Sequence, residues 1–141
     1  MITANAYSSY KKQSVTTLTP IEIVVKLYDE CERQMNRAVH FIGLKDYEST
    51  NTALLKSIEI VGALRSVLDM QIPMSKNLDS LYEYFTRELI EANMKKDDEK
   101  VRVLLPMISE LRDAFSQISK MPKEQINLQA AQNMPQHAAI V

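Results

Sequence analysis

Leu81, Tyr82, Phe85, Leu89 and Ala92 recur along LYEYFTRELIEANMKKD, the stretch from Leu81 to Asp97. Their spacing puts them on one face of an α-helix, and most other positions, among them Glu83, Arg87, Glu88, Glu91 and Lys95, are charged. Lys95 and Lys96 lie near its C-terminal end, where cations suit the helix dipole. The chain has only 2 Gly in 141 residues, too few for the frequent turns of a strand-rich fold. Its length suits one domain with one core. An all-α fold is expected.

The same period recurs three more times. Thr19-Pro20-Ile21-Glu22 is a helix start: Thr19 caps, Pro20 suits the first helical position and Glu22 completes a capping box. The first helix then runs to about Leu44, with Ile21, Val24, Tyr28, Cys31, Met35, Ala38, Val39 and Ile42 as its stripe, and Gly43 with the polar residues after Leu44 holds the turn. The second helix covers roughly Tyr47 or Ser49 to Leu68 and carries two stripes. Leu54, Ile58, Val61 and Leu68 form one, and Ala53, Ile60, Leu64 and Val67 the other. Together they span about half the circumference, wider than the roughly 100° a surface helix needs. Either this helix is the most buried of the set or part of its face is a groove for a partner, and pattern alone favours burial. Arg65 lies within this face and is expected to send its charge out past its stem.

Pro73 breaks the second helix, and Ser75 is expected to cap the third, which adds Leu78 to its inner face and ends near Lys96. Asp97 and Asp98 then start a fourth helix that runs to about Lys120, with Val101, Leu104, Leu105, Ile108, Leu111, Phe115 and Ile118 facing the core. Pro106 lies inside it and predicts a kink, or a break with a restart, between Arg102 and Leu105. Val103, Met107 and Ala114 form an outer shoulder, where Met107 either fills a core gap or meets varied apolar partners. The expected architecture is an antiparallel four-helix bundle over residues 19–121. It is flanked by an N-terminal arm, 1–18, carrying Tyr7 and Tyr10, and a mobile, nearly uncharged C-terminal tail, 122–141.

Composition narrows the function. A formal net charge of −1 argues against a nucleic-acid binder. No signal peptide opens the chain, no apolar run is long enough to span a bilayer, and the single Cys31 fits a cytoplasmic protein with a buried structural thiol. Helix bundles that hold paired metals use Glu-x-x-His motifs, which this chain lacks, as it lacks a P-loop and any Cys cluster. No cofactor and no enzymatic activity are expected. The exception to weigh is His40, off the core stripe near the end of the first helix. A phosphotransfer bundle would display a histidine there, and a solvated helix-end histidine is the plainer reading.

Four pieces of the chain, in order, resemble one family. NAYSSYKKQSV is similar to N-x-Y-x-x-Y-x-x-x-S-V, and TPIEIVVKLYDEC to T-P-x-E-L-x-x-x-L-Y-x-x-C with Ile23 in place of Leu. LYEYFTRELIEANMKKD and LRDAF match the third and fourth helices, with Phe115 where Trp is common. The resemblance is to the flagellin export chaperones, the FliS family, and covers about Asn5 to Lys120. It implies a cytoplasmic four-helix bundle that binds the C-terminal segment of flagellin, prevents premature polymerisation and aids delivery to the flagellar export gate. It also implies that the N-terminal arm can cover the surface flagellin occupies. The residues expected to meet the partner are Tyr7 and Tyr10 on the arm, Ile60, Leu64 and Val67 on the second helix, and Val103 and Met107 on the fourth. A self-associating bundle, as in a homodimer, and a His40 phosphotransfer protein are the alternatives.

Overall fold

The computed structural model describes residues 18–121. They form four helices, α1 (Pro20–Gly43), α2 (Tyr47–Ser66), α3 (Pro73–Lys95) and α4 (Asp98–Ser119), packed as a bundle without a strand among the described residues. The expected arm and tail, Tyr7 and Tyr10 included, lie outside them.

The helix ends follow local chemistry. Thr19 Oγ1 accepts from the Glu22 N–H at 3.2 Å, and the Glu22 carboxylate accepts from the Thr19 N–H at 2.9 Å, closing the capping box that the sequence announces. Those bonds hold the Glu22 carboxyl below its usual pKa. At the other end of α1 the left-handed residue is Lys45 (φ 59°), not Gly43. Asp46 then caps α2 by accepting from the Ser49 N–H at 3.1 Å. Between α3 and α4, Lys96 is left-handed (φ 51°) and Asp97 accepts from the Glu99 N–H at 3.0 Å.

Two local expectations are corrected. Ser75 does not cap α3: the helix begins at Pro73, whose ring already fixes a helical φ and offers no N–H to cap. Ser75 is instead a buried residue of the first turn, and its hydroxyl has no hydrogen-bond partner among the described residues. Nor does α4 break at Pro106; it is continuous from Asp98 to Ser119. Both Pro106 and Arg102, whose carbonyl the proline leaves without its helical donor, are on the exposed side, where water can take the lost bond.

Neighbouring helices run antiparallel. Asn51 meets Asn93 and Arg65 meets Asp79, so residue numbers rise along α2 as they fall along α3. Tyr28 against Phe115 and Arg112 against Glu32 set α4 beside α1 in the same sense. α1 makes its largest contacts with α2 and α4, α2 also packs on α3, and α3 and α4 touch least of these adjoining pairs. Having two such neighbours, α1 buries more than its expected stripe: Ile23, Leu27 and Gln34 are buried as well. Buried Thr50 and Ser57 on α2 donate their hydroxyls to the Asp46 and Ala53 carbonyls at 2.8 and 3.0 Å. Those bonds satisfy both hydroxyls within the helix.

At the centre Tyr28 of α1 and Tyr82 of α3 join through their hydroxyls, and the Tyr28 ring stacks on Phe115 of α4 with centroids 5.6 Å apart. Each hydroxyl is the other's partner in the interior. Tyr82→Phe should therefore cost ~1–3 kcal/mol by leaving one phenol unpaired. The Tyr28→Phe/Tyr82→Phe pair should recover part of that loss, as urea unfolding of the three variants will show.

Burial also pushes the Cys31 thiol from 9.0 up to about 12 and raises both phenols, so all three are held protonated. Between those limits the unfolded chain has released the thiol proton and the folded chain has not. The stability from a protonated Cys31 is complete below pH 9 and lost as the pH climbs toward 12, at up to about 1.4 kcal/mol per pH unit. Urea midpoints should fall from pH 8 to pH 10.5, and less steeply in Cys31→Ala.

Candidate protein-binding surface

The groove expected on α2 does not stand open. Ile60 and Leu64 are buried at 3% and 1% exposure, and Val67, at the C-terminal cap of α2, is half-buried against the same core. The reason is the position of α2 between α1 and α3. Both of its stripes are used for packing, and the half-circumference face is a core face. On α4, Val103 is exposed at 52%, while Met107 is half-buried and packed against the core, nearer its gap-filling role.

Chemistry-bearing groups are scattered. His40 is exposed and rests against Phe41 with ring centroids 5.5 Å apart, and the Arg37 guanidinium lies over the same Phe41 ring. No group of three or more His, Cys, Asp or Glu among the described residues could hold a metal ion. None of the described helices is long and apolar enough to cross a membrane. Two clefts among the described residues are small: one of about 170 Å³ lies between α1 and α2 beside Arg37 and Phe41, and one of about 260 Å³ lies where α1 begins and α4 ends. Both are smaller than the roughly 300–1,000 Å³ of a small-molecule site.

The exposed apolar residues instead gather where α2 and α3 adjoin. Tyr47 and Leu55 on α2 and Ile90 and Met94 on α3 are 47%, 51%, 45% and 79% exposed. The Asn93 side-chain N–H donates to Asn51 Oδ1 at 2.8 Å, which fixes the register of the two helices at this level. Tyr47, Asn51 and Leu55 follow at four-residue steps on one helix, and Ile90 and Met94 at the same step on the other. The sequence reading missed this strip. The available signal was that Leu55, Ile90 and Met94 are large apolar residues lying off every core stripe.

The charges beside the strip are paired. Glu83 meets Arg87 at 3.7 Å and Glu91 meets Lys95 at 2.8 Å, each along one face of α3. Arg65 carries its head to the surface, as expected of its stem, and its Nη2 donates to Asp79 at 3.1 Å. Lys100 lies 3.4 Å from Glu88 and 3.6 Å from Glu91, tying α4 to α3.

A helical bundle that leaves a strip of large apolar side chains exposed has the surface of a protein-binding class. Comparison with known proteins makes that class specific. Residues 3–122 match the family described as flagellar protein FliS, and the chain belongs to that family. It is 32% identical over 117 residues to the flagellar secretion chaperone FliS of Bacillus subtilis, covering 83% of this chain and 88% of that protein. It is 29% identical over 126 residues to the protein of the same name from Salmonella typhimurium, covering 84% and 93%.

Burial of Leu64 sets a clear expectation. Leu64→Asp places a carboxylate in the core and should cost ~3–5 kcal/mol or unfold the chain. Val103→Asp, at an exposed position, should stay within ~0.5 kcal/mol of the parent. Urea unfolding monitored by circular dichroism will separate the two.

Proposed function

We propose that this chain is an export chaperone of the bacterial cytoplasm that binds the C-terminal segment of flagellin. In this reading it keeps that segment from polymerising early and helps to deliver it to the flagellar export gate. Family membership over residues 3–122 carries the reading, and the relatives' shared description as flagellar secretion chaperones supports it.

The physical logic is that of a displaced polymer contact. A filament subunit's terminal segment, before it meets its neighbours, is an amphipathic chain with unburied apolar faces. Docking it on a preformed bundle hides those faces, at the cost of ordering the segment. The bundle has the rigidity for this, since its core is closed without the partner. Tyr7 and Tyr10 are assigned to a cover that the segment displaces. Two rings contribute roughly 1.5–3 kcal/mol each when buried, and ordering the arm costs about 1–2 kcal/mol per residue, so the cover is held weakly.

The test is capture of purified flagellin, intact and lacking its C-terminal segment, by the immobilised chain. Intact flagellin should be retained in stoichiometric amount and the truncated form lost. Equal retention of both would place the contact elsewhere on flagellin, and retention of neither would overturn the export reading.

A further inference from the structure

α3 begins unlike the other three helices. Thr19, Asp46 and Asp97 each cap a helix by accepting from a backbone N–H, and Glu22, Glu48, Asp98 and Glu99 place carboxylates in those first turns. α3 has neither device: Ile72 at its N-cap makes no side-chain hydrogen bond, and its first turn holds no acidic residue. Lys76 is there instead, an exposed cation at the positive end of the helix dipole. α1 offers a matched contrast, because it too starts on a proline. Where α1 has Thr19 before Pro20 and Glu22 two residues after it, α3 has Ile72 before Pro73 and Ser75 two residues after it. The reciprocal bonds that close the start of α1 have no counterpart in α3.

Two further observations fall on the same segment. The Ser75 hydroxyl is buried with no hydrogen-bond partner among the described residues, a cost to the closed form that is relieved when water reaches it. From Arg65 to Met74 no side chain is fully buried: Val67, Leu68, Ile72 and Met74 are half-buried, and Met70 is exposed. The polar ties that hold α3 begin further along. Asp79 is bound to Arg65 of α2, Tyr82 to Tyr28 of α1, and Glu88 and Glu91 to Lys100 of α4. α3 also packs less on α4 than on α2, so its start has one main neighbour.

We infer that the start of α3, with the connection before it, is a strap that opens while the remainder of the bundle stays closed. The moving part covers residues 67–78, and the tie between Arg65 and Asp79 is where opening stops. Opening hydrates the Ser75 hydroxyl and releases Lys76 from the helix dipole. It is opposed chiefly by the burial of Leu78, which is 2% exposed in the closed form. Segments with so few buried contacts open at a free energy well below that of global unfolding. The bundle therefore has a second surface state, in which Leu78 joins Met74 as an apolar face at one end. The inference is independent of the export reading, since it follows from the make-up of one helix end.

The experiment is amide hydrogen exchange of the full chain, without urea and at low urea. It compares residues 77–81 of α3 with residues 24–28 of α1, the second turn after each initial proline. In the parent, 77–81 should exchange at least about tenfold faster, with a shallower urea dependence, because a local opening exposes less surface than global unfolding. Ser75→Ala should slow exchange at 77–81 by about tenfold, since it removes the unpaired hydroxyl. Ser80→Ala, exposed on the same helix, carries the change in helix propensity alone and should slow it about twofold. Lys76→Glu should slow it several-fold by reversing the charge at the dipole. Being a surface change, Lys76→Glu keeps the test decisive should Ser75→Ala disturb packing. Equal protection of the two segments in the parent, or equal urea dependence, overturns the strap. So does a Ser75→Ala variant that exchanges no more slowly than Ser80→Ala, or a Lys76→Glu variant that exchanges as fast as the parent.

Discussion

The bundle depends on α1 lying against two neighbours at once. Because α2 packs on one flank and α4 on the other, α1 must be apolar over a wide arc, and Ile23, Leu27 and Gln34 are buried beside its main stripe. Tyr28 sits where those interfaces converge. Its ring stacks on Phe115 and its hydroxyl reaches Tyr82, so one side chain of α1 joins α3 and α4. A phenol there is costly unless paired, and a second phenol on the far helix pairs it. The result is an interior that specifies helix positions through a polar contact as well as by shape.

The same arrangement explains what could and could not be read from the chain. Helix count, order and approximate ends were legible, because each helix carries its own period and two carry clear start signals, Thr19 with Glu22 and Asp97. Burial of Cys31 and the exit of the Arg65 charge were legible for the same local reasons. What periodicity does not encode is which neighbour a face will meet. The two stripes of α2 look alike whether the second faces a groove or another helix, and in the structure Ile60 and Leu64 are buried. Ser75 and Pro106 were misjudged on a related ground. A proline can begin a helix as readily as bar one, and an internal proline is tolerated where the orphaned carbonyl faces water.

For the exposed apolar strip, attention to the core stripes hid the residues that form it. Leu55, Ile90 and Met94 stand out only when a helix is read for what its core does not need. Val103, expected on an outer shoulder with Met107, is exposed, yet Met107 itself leans into the core. The polar link between Asn51 and Asn93 was not legible, since it joins residues that lie 42 positions apart on different helices.

The order in which the helices adjoin also bears on how the protein is made. α1 with α2, α2 with α3, and α3 with α4 are contacts between successive segments, available as each hairpin emerges from the ribosome. The α1–α4 contact alone ties the first helix to the last. Until α4 has been synthesised, one apolar flank of α1 and the Tyr28 ring lack their cover. A nascent chain halted after α3 would be a sticky three-helix fragment, open along the flank that Leu111 and Phe115 later close. The chain thus passes through an interval in which its own apolar surface is bare, and the last helix ends it.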